Sequence, residues 1–597
     1  MKAQDVVDAA ARGTSLAGAQ LAGLSLRDRD LSKLVAPGAS FFGCNFDGAK
    51  LRGANLAGAT FSSCSGIGAD ASGVDLSRTK IRASAFTRAD LSGAKLDEVE
   101  MHRVDFTGAK LQSASLRGAV GIQVRWEKAD LRGADLTLAR LPRCGFEEAS
   151  LAEATLVDVV LSEGQHAGAS FTGARLEKVV FASSDLQRAD FTGAEAQTLV
   201  FIAADLRGAR FPSALKRCVF DQARLSDRDE PRSQKPPWDP ELVARPAITL
   251  TFENVDLSGT MLRGLSLRDA NFRGANLEMA SFEGSDLEGA DFTGAKLKMT
   301  DFSEARMRGI DLSGQHFEMV LAKKADLRGA RLVGARLDRS LFDEADLGNA
   351  NLSRAFLHGA HLTGTKLDGV QLDGATLHSV DLEDVDLAGL ALAGRKLRYC
   401  SFKGLDLTAR DFSGCDLTGA DFTDADLSRA KLTGATIRQA NFKGAKLRLA
   451  DLSRADGKAA FFGDATLEGA NATRARLRYA TFTKANASVA NFSGSDVRES
   501  LWVEAQASKA TFVGAQLIWA DLSKADLTSA DLSQADLTNA NVHELRDDGA
   551  VYTGAKTTGL RKTDPGRAKA EAWRPPARTR SGRSESARDD SRQEERE

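Results

Sequence analysis

The stretch "LHGAHL" sets His358 and His361 three residues apart, and His378 and Asp381 follow them at intervals of twenty. Three imidazoles and a carboxylate are donors that suit a divalent metal, provided that twenty residues return the chain to the same place. Other groups capable of chemistry are scattered: seven His and six Cys are spread over 597 residues. Cys44, Cys64, Cys144, Cys218, Cys400 and Cys415 form no Cys-x-x-Cys pair, so no metal or redox motif is indicated. Cys44 and Cys64, twenty apart, could be bridged by a disulfide, but reduced thiols in a cytoplasmic protein are the expectation. There is no Gly-rich phosphate loop after a strand, no nucleophile elbow and no Ser-His-Asp grouping. The reading is no catalytic residue, no cofactor and no metal, with the cluster His358, His361, His378 and Asp381 as the one metal candidate.

The elements that hold these residues repeat at an unusual interval. "SKADLTSADLSQADLTNANV", residues 523–542, says nearly the same thing every five residues, a period that fits neither the 3.6 of a helix nor the 2 of a strand. Large apolar centres recur at every fifth position from Leu16 to Phe211. They slip by one to Leu215, Phe220 and Leu225, and resume from Phe252 to about Tyr552. A small residue stands two places before each centre; on extended backbone the two point the same way, and the Asp or Asn between them points out. Gly recurs two places after the centre, as at Gly53, Gly294 and Gly419, where a type II turn needs positive φ. Each pentapeptide is therefore a short side and a corner. Phe402, Phe422, Phe442, Phe462, Phe482 and Trp502 fall one every twenty residues, so four sides close a coil and these rings form an internal ladder.

His166 sits at a centre in the column of Phe106, Trp126 and Phe146, and all six cysteines take the small inward position; both read as packing. Arg29, Arg395 and Arg410 break the small-inward rule. A buried unpaired guanidinium costs several kcal/mol, so a bulge that lets each reach water is expected.

The tandem Ala-(Asp/Asn)-Leu-x-x motif, from residue 14 to about 557, resembles that of the pentapeptide-repeat family. The resemblance implies an all-β fold, a right-handed quadrilateral β-helix (a solenoid) with about 20 residues per coil. Residues 1–13, "AQDVVDAAARG" among them, are expected to form a helical cap. Residues 14–225 and 250–557 form the coil, read as continuous (two separate solenoids being the alternative) because the aromatic columns keep register across 226–249. That segment holds five of the eleven prolines and reads as an extruded loop or linker. The charged tail 558–597 is expected to be disordered.

A net charge of −2 exerts no global pull toward nucleic acid or acidic lipid. Nothing resembles a signal peptide or a membrane-crossing run. The expectation is a soluble, cytoplasmic, bacterial protein: a non-catalytic rod-like scaffold or spacer whose outer faces bind protein partners, with neither nucleic acid nor membrane among them. An exposed terminal coil could pair with its copy as a homodimer. The resemblance adds two alternatives. One is a DNA-mimicking binder of DNA gyrase or topoisomerase, which needs a dense negative face that the charge balance does not supply. The other is an accessory or cargo-associated component of a bacterial type VI secretion system.

Overall fold

The computed structural model describes residues 1–225 and 250–573. These fall in two compact units, Met1–Ala445 and the part of Lys446–Glu597 that is described. Each is a parallel β-solenoid in which residues face those twenty positions on: Asp421 faces Asn441 in the first, and Asp496 faces Gln516 in the second; at the one-residue slip the interval is nineteen, as at Val200 and Val219.

The pentapeptide Ala420–Asp424 shows why the motif has its residues. Ala420 N–H closes a turn onto Leu417 O (3.0 Å), and Asp421 N–H donates to Cys400 O in the preceding coil (2.9 Å). Phe422 and Asp424 N–H donate to Asn441 O and Lys443 O in the next (2.7 and 2.9 Å). That leaves Thr423 N–H, which donates to the Asp421 carboxylate, at 3.0 Å. All five donors are satisfied, and the outward Asp or Asn is present because its side chain accepts the one N–H that the ladder cannot reach. The corner residue sits at positive φ whether it is Gly419 (66°) or Asp424 (58°).

Where a side straightens into a strand, the outward acceptor is missing. All thirteen three-residue strands begin with a residue other than Asp or Asn. They form three parallel ladders: six strands from Gln20–Ala22 to Val120–Ile122, then Thr155–Val157 to Glu195–Gln197, ending on the two-residue Leu215–Lys216, and His316–Glu318 to Thr376–His378, ending on the two-residue Leu397–Arg398.

We name the sides A to D in chain order from the centre Phe252. Centres and small inward residues make the core, and most are fully buried. Phe402, Phe422 and Phe442 stack at 4.8 and 4.9 Å in the first unit. Phe462, Phe482 and Trp502 stack at 4.9 and 4.0 Å in the second. On either side of 226–249, Phe211 stacks on Phe252 at 5.6 Å, and Leu215 N–H donates to Asp256 O. The expected loop itself lies outside the described residues.

Helix α1 (Ala3–Arg12) buries Val6, Ala9 and Ala10 and ends on Gly13 at φ 65°. It covers the open apolar end of the first coil, a device solenoids require. The tail departs from its expectation of disorder from residue 558. Arg561 still pairs with Asn541, and α2 follows at Pro565–Ala572. Asp564 caps α2 by accepting from Gly566 and Arg567 N–H, and Pro565 stands in the first turn. Glu571 pairs with Arg567 at 2.6 Å and with Lys524. The charges that argued for disorder here tie the helix down. Residues 574–597 lie outside the described residues.

Asp406, Asp411, Asp526, Asp531 and Asp536 are held below the usual carboxylate range, first by the hydroxyls of Thr408, Ser413, Thr528, Ser533 and Thr538, then by the adjoining N–H groups. A carboxylate with a lowered folded-state pKa contributes stability above its unfolded value, about 3.9, and loses it as pH falls below. Urea midpoints are therefore expected to drop as the pH falls below about 4. Changing these five residues to Asn, which keeps the acceptor, flattens that drop; an equally steep drop in the Asn variant overturns this account.

Candidate functional site on the outer faces of the coil

Inward polar side chains share a recurring acceptor, a centre carbonyl 23 residues back: Ser184 donates to Leu161 O (2.7 Å), Thr300 to Leu277 O (2.9 Å), Gln315 to Phe292 O (2.7 Å) and Cys415 to Leu392 O (2.9 Å), while Thr79 and Ser500 turn back to Leu76 O and Val497 O in their own coil (2.7 and 2.6 Å). Arg395 also uses the carbonyl 23 residues back, bonding Leu372 O and lying 3.6 Å from Asp373 with its side chain only 17% exposed. Arg410 bonds Ala388 O at 2.8 Å. The expected bulge takes a different form. Among the described residues, Lys366 and Gln371 have no bridge to residues 386 and 391, and an apolar cavity of about 20 Å³ lies beneath, lined by Leu372, Leu387 and Leu392 among others. Leu390, Arg395, Leu405 and Arg410 place four large residues at inward positions of neighbouring sides, and the arginines answer carbonyls in the opened coil. Arg29 needs no bulge: it lies in the first coil, is exposed, and its neighbour Asp30 keeps its bridge to Lys50.

His166 is fully buried between Phe146 and Phe181 (5.6 and 6.2 Å), with Nε2 3.3 Å from Leu161 O and Nδ1 unpartnered. Burial pushes its pKa down to about 4, so it packs as a neutral ring. Burial pushes the thiols of Cys144, Cys218 and Cys400 up to about 12, far from the thiolate that nucleophilic or metal chemistry needs. All six cysteines are free and buried.

The four candidate ligands come together as two pairs. His358 and His378 stack at 5.0 Å, with Tyr399 edge-on to His378 at 5.3 Å. His361 Nδ1 lies 3.8 Å from Asp381. Among the described residues, the group whose donor atoms do converge within 4.8 Å is His543, Glu544 and Glu571. Sequence spacing carried no signal for it, because Glu571 arrives on α2, outside the repeat. His543 Nδ1 accepts the Asp564 N–H at 3.2 Å, which leaves the proton of a neutral ring on Nε2, the atom a metal would need. Lys524 already places its ammonium on Glu571 and 3.8 Å from Glu544. Lys524 and Arg567 hold the Glu571 carboxyl down at about 2. This is a cation–carboxylate clasp.

The outer faces are laced with ion pairs at the intervals that adjacent coils impose. Arg52–Asp70 and Arg117–Asp135 span 18 residues at 2.7 Å; Arg78–Glu98 (2.9 Å) and Arg143–Glu163 (2.8 Å) span 20. Solvent and salt screen such exposed pairs, and each contributes little to stability. Exposed Met279, Met299 and Met319 occupy one corner on successive coils, a feature that the pentapeptide rule leaves open.

A Cβ on Gly164 would lie 2.4 Å from the His166 ring and 2.5 Å from Cys144 O. Gly164→Ala is expected to destabilise the coil by about 1–3 kcal/mol, read as a lower denaturation midpoint. Adding His166→Leu, which restores the ordinary Ala-x-Leu pair, recovers most of that loss. Below about pH 6.5 the unfolded chain takes up a proton that buried His166 refuses until about pH 4. Stability is expected to fall through that window, and His166→Leu to remove this part of the fall; parallel pH curves for the two proteins exclude it.

Residues 44–82, 85–120, 127–163, 167–195, 252–289, 280–314, 323–359, 357–389, 400–439, 437–471, 462–498, 490–528 and 515–544 match the family model for pentapeptide repeats. A comparison with curated proteins finds no match. Among solved structures the chain is similar to QnrB1, a plasmid-mediated fluoroquinolone resistance protein, at 19% identity over 36% of this chain and 92% of that one (TM-score 0.21). It is similar to HetL, a pentapeptide-repeat protein involved in heterocyst differentiation regulation in the cyanobacterium Nostoc sp. strain PCC 7120, at 22% identity over 52% and 91% (TM-score 0.14). A pentapeptide-repeat protein of the Arabidopsis thaliana thylakoid lumen matches at 30% identity over 20% and 68% (TM-score 0.13). With matches to the family model spread from residue 44 to 544 across both units, the chain belongs to the pentapeptide-repeat family.

Proposed function

We propose that this protein is a non-catalytic interaction scaffold that binds protein partners through the outer faces of its coil. The observation that carries this reading is the filled interior: centres and inward residues pack against one another, and the cavity at the open coil is apolar and about 20 Å³, room for one water and no substrate. Three of every five side chains are left to the surface, and solenoids present such surfaces as extended binding faces. Six buried, free cysteines suit a reducing compartment, and the cytoplasm is part of this proposal. No described helix is long and apolar enough to cross a membrane. Mimicry of duplex DNA gains no support from a surface whose carboxylates are neutralised by cross-coil cations, as at Arg308–Asp326 and Arg476–Asp456.

Cross-linking of the intact protein to its captured partners, mapped by mass spectrometry, is expected to place links on outward positions of the sides, and a gyrase supercoiling assay to show no inhibition. Inhibition of supercoiling, or turnover of a substrate by the purified chain, overturns the scaffold reading.

A further inference from the structure

Side B between residues 296 and 399 departs from the motif. From Asn276 to Asp416 no Asp or Asn occupies its outward position before the centre; Lys296, His316, Arg336, Phe356, Thr376 and Lys396 stand there instead. Without the side-chain acceptor, Arg336–Asp338, Phe356–His358 and Thr376–His378 run as successive parallel strands, followed by Leu397–Arg398. The result is a flat sheet face. Its register aligns Arg336 with Phe356 and Thr376, and His358 with His378 and Arg398.

The charge on this face is one-sided. Its four coils present Arg336, Arg339, Lys396 and Arg398 together with His358 and His378, against one carboxylate, Asp338. Asp338 is already taken by Arg336 at 3.0 Å and His316 at 2.9 Å. Arg398 reaches sideways to Asp416 at 2.6 Å. Among the described residues, Arg339 and Lys396 have no carboxylate partner. Two aromatic side chains stand out among these cations: Phe356 is 52% exposed and Tyr399 51%. Side C, around the corner, has the opposite sign over these coils: Asp343, Glu383 and Asp384 stand beside Glu344, paired with Lys323 and Lys324 at 3.5 and 3.6 Å, and Asp381, 3.8 Å from His361.

We propose that this face docks an acidic peptide segment bearing an aromatic or large apolar residue; the proposal rests on the scaffold reading and names the partner chemistry for one of its faces. Carboxylates meet Arg339 and Lys396, which have nothing to release, and the apolar residue packs on Phe356 and Tyr399, the residue types around which binding energy concentrates. Four coils at ~4.8 Å spacing offer ~15 Å of face, the length of about five extended residues. That is a short linear segment. A long polyanion such as nucleic acid would run into the carboxylates of side C, and this repulsion selects the peptide.

The test uses the intact protein and a fluorescein-labelled peptide of three Glu-Asp-Phe triplets, followed by fluorescence anisotropy at low salt. Its Lys-for-acid counterpart and a ten-nucleotide oligothymidylate serve as comparisons. The acidic peptide is expected to bind, to weaken as salt rises, and to lose about tenfold or more in affinity in the double variant Arg339→Glu/Lys396→Glu. Phe356→Ala weakens it without changing the salt dependence. Reversing side C with Glu383→Lys/Asp384→Lys leaves it within about twofold. All these side chains are surface groups, and circular dichroism checks that each variant keeps the fold. Equal binding by wild type and Arg339→Glu/Lys396→Glu, or tighter binding of oligothymidylate than of peptide, overturns the proposal. That failure leaves the scaffold reading standing, because the cross-link map on the other faces decides it independently.

Discussion

The hydrogen bond between residues one coil apart is the constraint on which the molecule depends. Three of the five N–H groups in a pentapeptide donate along this ladder, one closes the corner, and the last is taken by the outward carboxylate or amide. An amide left unpaired beside a packed core costs about 1–3 kcal/mol, so the same accounting has to be met at every turn of the chain. The repeat, the aromatic columns and the cross-coil ion pairs all inherit their spacing from it. Side chains stack at about 5 Å because their backbones do.

The same ladder explains how the coil tolerates exceptions. Ser184, Gln315 and Cys415, polar groups at inward positions, each find a carbonyl 23 residues back. Arg395 uses that carbonyl as well, and its length makes the coil open instead of unfold. Gly164 is the converse case, an inward residue reduced to nothing so that the next centre can be a histidine. In both places volume at the inward position decides whether adjacent coils close.

Since the interior is spoken for, the molecule has its outer faces to work with. Much of their surface is a mosaic in which carboxylates and cations pair between neighbouring coils, as at Arg52–Asp70 and Arg78–Glu98, and such surfaces exert little directional field. Side B between 296 and 399 differs because it has lost the outward acidic residues; from His316 its backbone runs as strands, and cations there are left unanswered. Shape and potential change together along this stretch.

Much was legible in the sequence because the repeat is local and the stacking rule is arithmetic. The five-residue period, the four sides, the core ladder from Phe402 to Trp502 within each unit, the packing role of the cysteines and of His166, and the helical cap all follow from residue types at fixed intervals. The rest needed three dimensions. Stacking arithmetic placed His378 over His358 and Asp381 over His361, yet each pair closes on itself along the coil and the four do not share a point. The convergence of His543, Glu544 and Glu571, and the ordering of residues that looked too charged to fold, arise because α2 turns back across the last coils. Periodicity determines which side chains stack within the coil; where a non-repeating segment lands, and which charges are left unpaired, depends on contacts between parts of the chain that no period relates.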